Sequence, residues 1–389
     1  MARKEGKLNS TVNRRDLLRS SVAGVAWAMS RFPLSAFGFA EPDSGEELLP
    51  FVDPPPIVPG HVAWNRQPDW LTAAKDTFVV SHYGPAQLDA EKWKLEIAGF
   101  VERPLALSLA DLKARPKREY TATLECSGNG AGPKFLGAVA NNRWTGTPLA
   151  PILHGAGVKP EGIEVVFFSA DQGQEKIRDQ EYPQSFARSL ALSDAMSEHV
   201  LLAYAMNGES LTQGHGAPVR LVVPGWYGVA WVKWLARIEL ADRRFMNRFM
   251  GRDYVTIRGQ QVGDKAIWRE TSVGRMNVKS IIAQVVKKKD GTLRVSGAAW
   301  TDLSGVKAVE VQIDGGAWMP AELENKDQGA FSWTFFHFDW KDAKPGEHTL
   351  VSRAIDHAGR TQPAKDDALI KLKKTYWEAN EQFPRKIKV

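Results

Sequence analysis

The 389 residues are 43% hydrophobic and 25% charged, an ordinary globular balance whose length suits two domains and a tail. Five units of the net charge of +6 sit in residues 1–40, where seven Lys/Arg face only Glu5 and Asp16; the nearly neutral remainder gives no reason to expect nucleic acid as a partner. The single cysteine, Cys126, excludes an intramolecular disulfide, a Cys-x-x-Cys zinc site and an attached c-type haem on this chain.

In chain order, "NSTVNRRDLLRSSVAGVAWAMSRFPLSAFGFA" has Arg14-Arg15, a weakly apolar stretch and a small-residue end suited to cleavage after Ala40. Arg31 and Pro33 break the apolar run, so it is too short for a stable membrane span. Arg14-Arg15 followed by Asp16-Leu17-Leu18 resembles a twin-arginine signal, with Asn13 where Ser or Thr is usual. Residues 1–40 are therefore expected to be a signal peptide that sends the folded protein to the periplasm; an amphipathic N-terminal helix is the alternative. Residues 41–75 are Pro-rich at first, with Pro54-Pro55-Pro56, and read as an extended arm.

A first domain is expected over 76–267. "KWKLEIAGFV" and "EYTATLEC" alternate as strands do, and "SLADLKARP" places Ser108 as the cap of a short helix. "TPLAPILHGAGV" predicts a helix stopped by glycines, "IEVVFFSAD" a buried strand and "SFARSLALSDAMS" a helix; "HVLLAYAMNG" and "APVRLVVPG" are further strands. Strands and helices without a regular repeat predict an α+β fold. Over 268–375 the segments shorten and are divided by Gly, Asp and Pro. Asp314-Gly315-Gly316 marks a hairpin, and the spacing predicts an all-β immunoglobulin-like sandwich held by its core alone. Residues 376–389 read as a C-terminal tail.

Three stretches carry chemistry. In "TATLECSGNGAG", Cys126 stands where strand gives way to a glycine loop, so its sulfur can bind or attack a ligand beside bare backbone amides; an inert buried thiol is the alternative. "HGAPVRLVVPGWYGVAWVKW" supplies His215, Arg220 and Lys233 around glycine turns, a combination suited to phosphate; scattered surface cations are the alternative. "MGRDYV" places Tyr254 near Arg252, as a phenol beside a cation or as packing.

Together these pieces resemble the sulfite oxidase family of molybdenum enzymes over residues 76–375. "LECSGNG" is similar to its cysteine loop, "RWTGTPLAPILHGAGV" to its Trp-x-Gly-x-Pro-Leu helix, and "VLLAYAMNGESLTQGHGAPVRLVVPGWYGVAWVKWLARIEL" to its longest motif. "GRDY" resembles its active-site tyrosine motif, and "VEVQIDGGAWMPAEL" with "SRAIDHAGRTQP" its dimerisation domain. The resemblance implies a molybdopterin-binding catalytic domain at 76–267 and a dimerisation domain at 268–375. It implies molybdenum-molybdopterin as cofactor, with Cys126 as the thiolate metal ligand, a form that soft metal requires. It implies cofactor contacts from His82, Asp171, His215, Arg220 and Lys233, and a hydrogen bond from Tyr254 near the metal's oxo group. It further implies a homodimer; no haem is expected on this chain, so released electrons are expected to go to a separate c-type cytochrome.

The substrate positions depart from that pattern. Val80, Ala131 and Thr334 stand where the family's sulfite-binding cations are expected. The default substrate is sulfite or a related sulfur compound, by two-electron oxygen-atom transfer. The alternatives are a less anionic substrate, an oxyanion held by Lys134, Arg143, Arg178 or Arg258, or a sulfoxide-type reductase. A non-catalytic binding protein on an eroded scaffold, or Cys–His hydrolysis, stands further off.

Overall fold

A computed structural model describes residues 42–64, 69–132, 135–324 and 329–389. The leader over 1–40 and Lys134 lie outside the described residues. Among these residues no helix is long and apolar enough to cross a membrane.

Two sheets build the first domain. One runs in the order Leu105–Ser108, Lys94–Gly99, Leu235–Ala241, Glu164–Ile177 and Gln180–Ala191, with Lys94–Gly99 parallel to Leu235–Ala241 and the other pairs antiparallel. The other, all antiparallel, orders Arg220–Val222, Leu201–Met206, Val139–Pro148 and Arg118–Glu125. The helix Leu109–Lys113 has a full capping box between Ser108 and Asp111, and Leu149–Ala156 ends on the left-handed Gly157, as their sequences predict.

One helix expectation fails. "SFARSLALSDAMS" is the end of the strand Gln180–Ala191 followed by one turn, Leu192–Ala195. The segment folds back along Glu164–Ile177 through a turn at Arg178, and eleven paired residues outweigh its helical preference. That strand carries Arg188, buried in the first domain, whose guanidinium donates to the carbonyls of Phe249 and Val273.

The second domain is a sandwich. One sheet orders Glu47–Leu49, Lys279–Lys287, Leu293–Trp300, Thr334–Trp340 and Glu322–Leu323; the facing sheet orders Met319–Pro320, Val306–Ile313, Glu347–Asp356 and Arg385–Lys388. The hairpin at Asp314 forms as expected, with Val306–Ile313 against Met319–Pro320. Lys279–Lys287 is buried along nearly its whole length because the sheet is covered twice. Val278, Ile282 and Val285 face the sandwich interior, while Ile281 and Ala283 join the core of the first domain with Trp300, Trp333 and Phe335. Each of these Val and Ile side chains contributes about 1.5–3 kcal/mol by leaving water.

Both ends of the described chain are structural. Within the arm 41–75, Glu47–Leu49 pairs with the sandwich, while the Trp64 indole donates to Leu136 O at 2.7 Å in the first domain. The tail 376–389 ends in Arg385–Lys388, an edge strand paired with Glu347–Asp356. The expected boundary at 267/268 falls inside a hairpin, Val255–Val262 with Lys265–Ser272, whose tip is exposed.

Candidate active site

The strand Arg118–Glu125 delivers Cys126 to a buried loop. Cys126 N donates to Ala138 O, and Asn129 N closes the turn on Cys126 O, both at 2.9 Å. The Asn129 side chain locks the loop by accepting from Ala138 N and donating to Glu125. Burial pushes the thiol pKa up and the Glu125 carboxylate adds to this, while amides of Gly128 and Asn129 and the Lys279 ammonium oppose it. Without a metal the sulfur is thus held as a thiol; a bound cation would reverse that balance.

Behind Cys126 lies a cavity of about 660 Å³ of empty space, part of it open to solvent. Six of the seven residues expected at the site line it: His82, Cys126, Asp171, Arg220, Lys233 and Tyr254. His215 does not. Its ring bridges Thr212 Oγ1 (2.7 Å) and Thr77 O (3.2 Å), and its carbonyl accepts from Arg220. Burial holds this imidazole neutral by lowering its pKa.

The floor of the cavity is cationic. Arg220, 4% exposed, donates to the carbonyls of His215 and Trp231 and lies over the Trp144 ring, but its Nε has no partner. Lys233 donates to Gly214 O at 2.8 Å and sits 4.2 Å from the Trp234 ring centre. Neither cation has an ion pair among the described residues, and Asp171 supplies the one carboxylate that acts on Lys233. Burial therefore pulls Arg220 down to about 9 and Lys233 to about 7. Gly216 (φ +100°) allows this crowding, since a Cβ there would meet Lys233 Cβ at 3.0 Å and Arg220 Cβ at 3.2 Å. The Ser127 hydroxyl is also buried on this cavity without a partner. Asp171 is a single carboxylate against two desolvated cations, which with the idle hydroxyl leaves charge for a further anion to balance.

At the other side of Cys126 a wider recess opens, with about 1030 Å³ of empty space reaching solvent. Val80, Cys126 and Tyr254 border both spaces. The Tyr254 hydroxyl is 2.9 Å from His82 Nε2, and its ring stacks on Trp377 at 4.4 Å. Burial and then the Cys126 charge push the phenol pKa up, while burial and Arg248 lower that of His82. Tyr254 thus stays a phenol, with neutral His82 as its partner.

Of the positions expected to carry cations, Val80 and Ala131 line the recess, while Thr334 is buried on its strand and borders neither space. Arg143 pairs with Glu119, Arg178 turns the hairpin of the first sheet, and Arg258 pairs with Glu378; none lines either space. No histidine among the described residues hydrogen-bonds Cys126, so the hydrolytic alternative lacks its base. Sequence reasoning missed Tyr376 and Trp377, which wall the recess from the stretch taken as a tail. Their adjacent aromatics in "KTYWEAN" were the available signal.

Comparison with known proteins agrees with this arrangement. Residues 82–249 match the family model of the oxidoreductase molybdopterin-binding domain, and 270–378 that of the Mo-co oxidoreductase dimerisation domain. The chain is 32% identical to the sulfite oxidase of Gallus gallus over 83% of its own length and 77% of that protein's. It is 31% identical to the mitochondrial sulfite oxidase of Rattus norvegicus over 76% of its own length, spanning 57% of that protein. Among solved structures, the sulfane dehydrogenase SoxCD from Paracoccus pantotrophus aligns over 92% of this chain and 95% of that one, at 27% identity and a TM-score of 0.70. A phosphate-bearing pterin fits what the cavity presents: a buried guanidinium and a half-buried ammonium without ion pairs among the described residues, an idle hydroxyl and one thiol on the same lining. Among the described residues no cluster of three or more His, Cys, Asp or Glu could hold a metal unaided, so the thiol is the donor on offer.

Proposed function

The chain belongs to the sulfite oxidase family of molybdopterin-dependent oxidoreductases, and on that premise we propose that it is an exported enzyme of two-electron oxygen-atom transfer acting on sulfite or a related sulfur compound. The observation that supports this best is buried Arg220 and half-buried Lys233, neither in an ion pair among the described residues, lining the same cavity as Cys126. When bound, molybdenum on a pterin dithiolene supplies the oxygen-atom transfer, with water as the oxygen source and two electrons released.

The residues divide the remaining work. Arg220 and Lys233 hold the pterin phosphate, while the Ser127 hydroxyl is a donor beside Cys126. Asp171 steadies Lys233, and His82 borders the pterin. His215 acts at one remove by fixing the loop that carries Arg220. Cys126 is the protein's metal ligand. Tyr254, kept protonated, offers a hydrogen bond to an oxygen at the junction of the two spaces, and His82 Nε2 orients that hydroxyl.

The twin-arginine leader sends the folded, loaded protein to the periplasm. The second domain pairs two copies, and the electrons pass to a separate c-type cytochrome. A second reading, a less anionic substrate than sulfite, is favoured by Val80 and Ala131 on the recess wall. Elemental analysis of the purified mature protein tests the first reading. Molybdenum near one per chain, with reduction of ferricyanide by a sulfur substrate, is expected; a metal-free protein inert to every sulfur compound refutes it.

A further inference from the structure

The recess outside Cys126 and Tyr254 owes its chemistry to a distant stretch of chain. Glu378 N donates to Ser127 O at 2.7 Å, and the Glu378 carboxylate accepts from Gly274 N and Arg258, so the segment before it is anchored beside the cysteine loop. That anchor sets Tyr376 and Trp377 tilted together at 4.1 Å, with Trp377 in turn stacked on Tyr254. Gly128 marks where the rings converge. A Cβ there would lie 3.4 Å from Tyr376, 3.6 Å from Trp377 and 3.8 Å from Phe135.

Charge is spent elsewhere. Lys279 is bound to Glu125 and Asn129 O, Lys373 donates to Trp377 O, Arg258 pairs with Glu378, and Arg188 is fixed on backbone carbonyls. Among the described residues no cation lines the recess. Against the described lining a small dianion would shed water without receiving charge in return, whereas an apolar or aromatic body gains contact with three rings.

Resting on the oxygen-transfer reading above, we propose that this recess selects an uncharged organic sulfide, a thioether with an aryl or alkyl body, over free sulfite, with Tyr376, Trp377 and Phe135 as the specificity-determining residues. Sulfite takes up oxygen through the lone pair on its sulfur, and a thioether sulfur offers the same lone pair without the charge. The balance is R–S–R′ plus water giving the sulfoxide, two protons and two electrons. One S–O bond forms, both O–H bonds of the water break, and two one-electron acceptors are reduced.

The molybdenum-loaded protein is assayed with methyl phenyl sulfide and with sulfite, using ferricyanide as acceptor. Calorimetric titration with methyl phenyl sulfoxide and with sulfate gives a second readout that does not depend on turnover. The sulfide is expected to exceed sulfite in kcat/KM, and the sulfoxide to bind more tightly than sulfate. Trp377→Ala is expected to weaken sulfoxide binding by about tenfold or more. Because Trp377 also packs on Tyr254, Ala131→Arg serves as a second variant. It places a cation on the exposed rim and is expected to shift both preferences towards the anions. Efficient turnover of sulfite with none of the sulfide overturns this inference and leaves the oxygen-transfer reading standing. A molybdenum-free protein that turns over neither overturns both.

Discussion

Replacing Lys279 by methionine should cost about 3–5 kcal/mol, because it strands a buried carboxylate. Glu125 is fully buried, and Lys279 is 2% exposed. The two meet at 2.5 Å across the domain junction, where Lys279 also donates to Asn129 O at 2.7 Å. Glu125 receives two further donors, Asn129 Nδ2 at 3.0 Å and Trp300 Nε1 at 2.9 Å. Lys279→Met keeps an unbranched apolar stem out to the ε position and drops the ammonium, so the loss is the charge and two hydrogen bonds. The neutral donors alone do not balance the carboxylate, and about 3–5 kcal/mol is a large share of the 5–15 kcal/mol that holds a typical domain folded. The Lys279→Met/Glu125→Gln double variant removes the stranded charge and should recover at least ~1 kcal/mol of the loss. Urea unfolding followed by circular dichroism measures both. Because Glu125 precedes Cys126, molybdenum content should fall with stability in the single variant. A loss under about 1 kcal/mol, with no recovery in the double variant, would refute the reasoning.

Cys126→Ser should abolish turnover and molybdenum retention while changing the unfolding midpoint little; an active serine variant would exclude the ligand role. Lys233 gives the cofactor-free protein a distinct pH dependence. Its pKa of about 7 lies below the ordinary lysine value of 10.5, so between these the unfolded chain binds the extra proton and stability rises with pH. Thermal unfolding of the cofactor-free protein from pH 7 to 10 should show that rise, and Lys233→Met should flatten it; an unchanged slope sinks the assignment. Added pyrophosphate should stabilise the cofactor-free protein more at pH 6.5 than at pH 9, since Arg220 and Lys233 are then both charged; equal effects at both pH values would show that it binds elsewhere. Tyr254→Phe should lower kcat by about 10²-fold and cost only about 1 kcal/mol of stability, as one hydrogen bond to His82 is lost. Unchanged kcat would leave Tyr254 as packing beneath Trp377.

Much of the site was legible because its parts lie at the ends of strongly patterned segments. The alternation before Cys126 fixes a strand end, and glycine follows it wherever backbone must approach a ligand. The run around Arg220 and Lys233 reads as buried strands carrying cations, an arrangement that is costly unless an anion compensates. The family resemblance then gave these residues their common ligand. Local reasoning failed where pairing partners are remote. The segment 185–191 has helical preferences, yet a long hairpin holds it extended.

The sequence by itself determined which residue types exist to do chemistry: one thiol, cations without nearby carboxylates in the chain, and hydrophobic Val80 and Ala131 at positions expected to be basic. Tertiary structure alone decided what those residues face. It folded a supposed tail back so that Arg385–Lys388 completes a sheet and Tyr376 with Trp377 walls the recess beside Cys126. It also set His215 outside the lining of the cavity, with its carbonyl accepting from Arg220, and set Lys279 of the second domain against Glu125 of the first. The Lys279–Glu125 contact joins residues 154 positions apart, and the walls of the recess come from still more distant stretches. They depend on how two apolar cores close together, and no local period or spacing encodes that.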